Sequence, residues 1–138
     1  EILKTSTPMQ VASLIRQKLP SHLATRIKHL EILPEWDTVE ELVDVHKILL
    51  DSFRNLRLLD ESGSDLDPLS EVISDLRHRH KKVLPLLGAA VGHLREINVI
   101  NEAFANEWLD TFLLARISTE MLTLHYTALT DCHARNRG

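Results

Sequence analysis

The run Arg77-His78-Arg79-His80-Lys81-Lys82 sets two imidazoles among four cations, and Pro85 follows His80 by five residues. Imidazole titrates closest to neutrality of all side chains, so such a cluster is a candidate for phosphate acceptance or metal ligation. The neighbours narrow the choice. Leu69, Val72, Ile73, Leu76, Val83, Leu84, Leu87, Val91 and Leu94 recur at helical spacing, and His80 falls on the same stripe, four after Leu76 and three before Val83. The spacing predicts an imidazole on a packing face, with Arg77 three residues earlier on the same side. His78 and His80 are two residues apart, which on a helix points them to different faces and argues against a shared metal.

The elements that must position this cluster read as helices. Thr7 and Pro8 supply an N-cap and a first helical residue for a short helix through Val11, Leu14 and Ile15, which Leu19-Pro20 is expected to stop. A second short helix carries Leu23, Ala24, Ile27 and Leu30, and Leu33 to Asp37 reads as the following turn. Thr38 with Glu41 forms a capping-box pattern ahead of a long helix with Val39, Leu42, Val43, His46, Leu49, Leu50, Phe53 and Leu56 on one face. Residues from Leu59 to Asp67 turn acidic and small, an exposed loop. Under an Asp67 cap, a helix from Pro68 is predicted to reach about Glu96 with a bend at Pro85. Asn101 caps a last helix from Glu102 to about Thr130, with Phe104, Trp108, Phe112, Ile117, Met121 and Leu124 among its apolar positions. The prediction is all-α: one domain over residues 1–138, an antiparallel four-helix-type bundle with short N-terminal helices.

Composition agrees and excludes several functions. With 138 residues and only four glycines, a single helical core is expected. Sixteen basic and twenty acidic residues, net charge −4, give no general drive toward nucleic acid or a membrane surface. No apolar run is long enough for a membrane span. The single cysteine, Cys132, closes no internal disulfide and has no partner for a zinc site. Glycine-rich phosphate loops, a Gly-x-Ser-x-Gly elbow and a His-Glu-x-x-His helix are all missing from the sequence, so neither a catalytic residue nor a cofactor is expected in this segment. A chain that begins at Glu1 is expected to be part of something longer, with any targeting peptide out of view.

A histidine followed by a proline bend resembles the phosphoaccepting helix of sensor histidine kinases. There the histidine is normally followed by an acid and faces solvent, whereas here Lys81 follows and His80 lies on the apolar stripe. A wider resemblance runs through the chain. The segment Arg16-Gln17-Lys18-Leu19-Pro20-Ser21-His22-Leu23-Ala24-Thr25-Arg26-Ile27, the Leu33-Pro34 step, Ser52-Phe53, Arg77 to His80 with Val83-Leu84-Pro85, and Trp108-Leu109-Asp110 leading to Ala115-Arg116-Ile117-Ser118 and Met121-Leu122 are similar to the N-terminal domain of mitochondrial 2-oxoacid dehydrogenase kinases. That family comprises the pyruvate dehydrogenase kinases and the branched-chain 2-oxoacid dehydrogenase kinase. Arg77 and Arg79 resemble the pyruvate type; Ala24 to Lys28, His80-Lys81 and Leu124 to Leu129 resemble the branched-chain type.

The resemblance implies a regulatory and docking domain of a protein serine/threonine kinase of the mitochondrial matrix. ATP and magnesium would belong to a separate C-terminal domain, and the bundle alone would be inactive. Its implied partners are that ATP-binding domain, the lipoyl domain of the complex's acyltransferase core, the dehydrogenase component as substrate, and a second copy in a homodimer. Alternatives are a non-enzymatic helical scaffold and a histidine phosphotransfer module. By resemblance, Arg116 would hold the carboxylate of an oxoacid, with Arg77 and His80 lining the same cavity and Ser52 nearby; Leu14, Ile15 and Leu19 would contribute to a lipoyl-docking slot. Leu49 stands where the pyruvate type carries a tyrosine, and Glu120 where the family usually has a second arginine. Glu120, four residues after Arg116, is expected to pair with it. Arg77, His80, Arg116 and Glu120 thus form either an oxoacid pocket or a self-satisfied polar network. Trp108 and Met121 read as packing residues, and His125 and Tyr126 as closing the bundle.

Overall fold

The computed structural model describes residues 7–59 and 66–137, with side chains as far as Cys132. The acidic loop expected between Leu59 and Asp67 falls largely outside the described residues. All regular structure among the described residues is helical: α1 (Pro8–Glu31), a 3₁₀ turn (Trp36–Thr38), α2 (Glu40–Arg57), α3 (Asp67–His80), α4 (Val83–Glu96) and α5 (Glu102–Arg137). The all-α expectation holds. Among the described residues no helix is long and apolar enough to cross a membrane.

The two short N-terminal helices are instead one. Thr7 caps α1 in a reciprocal capping box with Gln10, and the helix runs through Pro20. Pro20 has no N–H for the Arg16 carbonyl, a local loss that would end an isolated helix. Tertiary burial overrides it, because Val11, Ile15, Leu19, Leu23, Ile27 and Leu30 form one stripe of buried residues on both sides of the proline.

Pro85 acts in the opposite sense. The expected bent helix is two helices, α3 and α4, joined by Lys81-Lys82, whose N–H groups reach only the His78 and Arg79 carbonyls. A helical continuation would set the Pro85 ring against the Lys81 carbonyl and leave that carbonyl without a donor. The break falls one turn before the proline, which then occupies the first turn of α4, where a missing N–H costs nothing. His80 is consequently the last residue of α3.

Other boundaries differ in detail. Val39, not Thr38, stands at the N-cap of α2 without a side-chain bond, and Thr38 Oγ1 donates to the Glu35 carbonyl instead. Leu66 stands at the N-cap of α3, and Asp67 is its first residue. Asn98 takes a left-handed conformation (φ 62°) that turns the chain out of α4. Asn101 Oδ1 then accepts from the Phe104 N–H, 2.7 Å, and starts α5 as expected. That helix continues past Thr130 to Arg137.

The core lies where α1 packs on α2 and α5, and where α2 packs on α3 and α4. Trp108 and Phe112 on α5 fill it beside α1, joined by Ala105. Met121, read as a packing residue, is 62% exposed, and Ile117 and Leu124 are exposed with it. Past Arg116 the inward face of α5 turns partly polar: Thr119 and Thr123 are buried there, followed by the buried Tyr126.

Candidate functional site: a cation-lined chamber

His80 is carried inward by the α3 stripe of Leu69, Ile73 and Leu76, as its spacing predicts. Its Nε2 lies 2.9 Å from Ser52 Oγ on α2, and Ser52 donates its own proton to the Ile48 carbonyl at 2.9 Å. One hydroxyl has one proton, so Ser52 accepts from His80, and the neutral ring carries its hydrogen on Nε2. Burial first, then the cations Arg26, Arg79 and Arg116, lower the His80 pKa to about 3. The imidazole is therefore neutral at physiological pH. A phosphoacceptor must be accessible, and an inward ring bonded to Ser52 is poorly placed for that. His78, two residues away, is exposed, as expected for the other face.

Arg77 and Arg79 diverge. Arg79 leaves the site to face Asp75 on its own helix (3.0 Å) and Asp51 on α2 (3.7 Å). Arg77 reaches α5, donating to Thr123 Oγ1 at 3.0 Å and Glu120 Oε1 at 3.3 Å. The expected pair between Arg116 and Glu120 does not form, because Glu120 is drawn across to Arg77. No carboxylate among the described residues lies within ion-pair distance of the half-buried Arg116.

The residue that sequence reasoning missed is Arg26. It is 2% exposed, donates through Nη1 to Thr119 Oγ1 at 3.3 Å, and stacks its guanidinium 5.0 Å from the Phe112 ring centre. Its Nε is buried with no hydrogen-bond partner, and no carboxylate among the described residues pairs with it. Burial and the Arg116 cation lower its pKa to about 10, partly offset by Glu120, so it stays charged at neutral pH. The signal was present: Arg26 lies three after Leu23 and four before Leu30, on a buried stripe much as His80 does.

The α5 threonines are shaped for these cations. Thr119 donates to the Ala115 carbonyl (3.2 Å) and Thr123 to the Thr119 carbonyl (2.9 Å). Their protons engaged by the helix backbone, both oxygens turn acceptor lone pairs to Arg26 and Arg77.

Between α1, α3 and α5 these side chains leave a chamber of about 60 Å³. Arg26, Leu76, Arg77, His80, Lys81, Arg116, Thr119 and Glu120 line it. A water needs roughly 10–15 Å³ by such a measure, so the space suits a ligand of a few heavy atoms and excludes a nucleotide. Leu49 is a fully buried core residue outside the lining, and Ser52 sits behind His80 rather than in the wall. Of the residues assigned to a docking slot, Ile15 and Leu19 are sealed in the core and Leu14 is half-buried. Among the described residues no three His, Cys, Asp or Glu side chains converge on a metal position.

The molecule is thus an all-α domain with a cation-rich chamber where three helices meet. It belongs to the family described as mitochondrial branched-chain alpha-ketoacid dehydrogenase kinase, whose model matches residues 2–137. It is similar to pyruvate dehydrogenase (acetyl-transferring) kinase isozyme 4, mitochondrial, of Rattus norvegicus, at 30% identity over 138 residues covering 90% of this chain and 32% of the relative. The Homo sapiens isozyme 4 is 28% identical over 136 residues, covering 88% of this chain and 32% of that protein. The chain spans about a third of the length of these relatives.

Proposed function

We propose that this chain is the regulatory and docking part of a protein serine/threonine kinase of the mitochondrial matrix that phosphorylates, and so inactivates, a 2-oxoacid dehydrogenase complex. The catalytic machinery, with ATP and magnesium, belongs in this reading to a following α/β domain. The bundle contributes the contact with the acyltransferase core and a chamber that senses a short 2-oxoacid. The observation that carries the sensing role is charge: Arg26, Arg77, Arg116 and Lys81 meet a single carboxylate, Glu120, which Arg77 already engages. An apolar, well-satisfied core has no use for such an excess, whereas a carboxylate ligand neutralises it and takes hydrogen bonds from guanidinium groups. Binding at the junction of α1, α3 and α5 favours one packing of those helices over others, and through it biases whatever domain rests on them.

A thermal titration tests this reading. Pyruvate and 3-methyl-2-oxobutanoate at millimolar concentration raise the melting temperature of the chain in a saturable way, and Arg116→Ala abolishes the rise. If neither acid moves the transition while Arg116→Ala lowers it, the four side chains are a closed polar network and the sensing role is lost.

A further inference from the structure

We propose that Arg26, on α1, is the anchor of the ligand carboxylate in this chamber, gripping it opposite Arg116 of α5 so that the bound acid ties the two helices together. The inference rests on the reading of the chamber as an oxoacid site and adds the residue that determines its affinity. Arg77 is the poorer candidate, since Glu120 and Thr123 already hold its guanidinium. His80 is neutral and turned toward Ser52. Arg26 alone combines near-complete burial, a place in the chamber wall, an Nε without a partner and no ion pair among the described residues.

Physical chemistry gives the geometry a reason. A buried guanidinium without a counter-ion is destabilising, and evolution can remove it with methionine or leucine at no structural cost. Arg26 is not held by a network that such a change would break: it makes one hydrogen bond of 3.3 Å, to Thr119, and one ring contact. A carboxylate in the chamber supplies the missing charge and takes charge-assisted hydrogen bonds from the guanidinium. Arg116 lies close enough to depress the Arg26 pKa, and a bound anion between the two relieves that repulsion. Because the groups belong to α1 and α5, occupancy strengthens the packing of one helix on the other.

Two substitutions test the assignment, each read by melting temperature without ligand and by calorimetric Kd for 3-methyl-2-oxobutanoate. Arg26→Met is expected to melt roughly 2–6 °C above the unsubstituted chain, because an uncompensated buried cation is gone, and to lose about tenfold or more in affinity. Arg26→Lys keeps a charge but not the planar fork, and is expected to weaken binding by about tenfold while leaving the fold intact. An unchanged Kd in either variant overturns the proposal. Should Arg26→Met melt lower than the unsubstituted chain, Arg26→Lys decides, since only an anchoring role makes the lysine variant bind less tightly at an unaltered melting temperature. Loss of binding in Arg116→Ala with full binding in Arg26→Met removes Arg26 from the site and leaves the sensing role standing. No heat of binding in the unsubstituted chain removes the sensing role itself.

Discussion

Two junctions join α1 to α5, and they are built on opposite terms. At the first, His29 and Trp108 clasp each other: Trp108 Nε1 donates to the His29 carbonyl at 2.8 Å, and His29 Nε2 donates to the Trp108 carbonyl at 3.0 Å. Their rings stack at 4.6 Å, and Phe112 continues the stack at 5.2 Å. At the second, one helical turn along α1 and on the far side of Phe112, Arg26 meets Thr119 with its Nε unbonded and its charge uncompensated. The clasp is complete in itself. The chamber is not, and an incomplete polar site around a buried cation is where a ligand belongs.

Damage to the two junctions has opposite consequences. Trp108→Ala removes a 3% exposed aromatic together with its ring stack and its hydrogen bond, and is expected to lower stability by about 3–5 kcal/mol in denaturant titration. A loss below about 1 kcal/mol would mean that the clasp is not the structural junction.

The next largest effect is a pH dependence. His80 has a folded pKa near 3 against an ordinary value of 6.5, so between those limits the unfolded chain takes up a proton that the folded chain refuses. Its contribution to stability is complete above about pH 6.5 and is lost as pH falls toward 3, with a slope approaching about 1.4 kcal/mol per pH unit. The groups that keep the ring neutral come from α1 (Arg26), α3 (Arg79) and α5 (Arg116), with Ser52 of α2 as its partner. His80→Gln is expected to flatten the stability profile over that window. An unaltered profile would show that the ring is not held neutral there.

Smallest is the pair between Arg77 and Glu120, whose side chains are 26% and 42% exposed. Solvent screens such a pair, and Glu120→Gln is expected to change stability by about 1 kcal/mol or less. The same substitution removes the one carboxylate of the chamber, so oxoacid affinity should rise, a gain that calorimetry resolves.

Much of this was legible in the sequence because it is written within single helices. The inward turn of His80 follows from Leu76 and Val83, the Asn101 cap from its position, and the resemblance in ordered segments from the helices that carry the site. What escaped depends on more than one helix. Pro20 breaks a helix by local rules, and only the packing of Leu19 and Leu23 carries α1 through it. Glu120 stands four residues from Arg116, yet Arg77, 43 positions away in sequence, takes it. Arg26 was named only within the segments of the resemblance, and its partner Thr119 lies 93 positions away on α5. At Pro85 the expected clash is relieved by a break instead of a bend, with the Lys81 and Lys82 N–H groups turning to the His78 and Arg79 carbonyls.

The most direct measurement is the arginine side-chain Nε–H spectrum of the ¹⁵N-labelled chain during titration with 3-methyl-2-oxobutanoate. A chamber that awaits an anion predicts a saturable downfield displacement of the Arg26 Nε–H resonance, which has no partner without ligand, accompanied by Arg116. An Arg26 resonance that stays fixed throughout the titration contradicts the account.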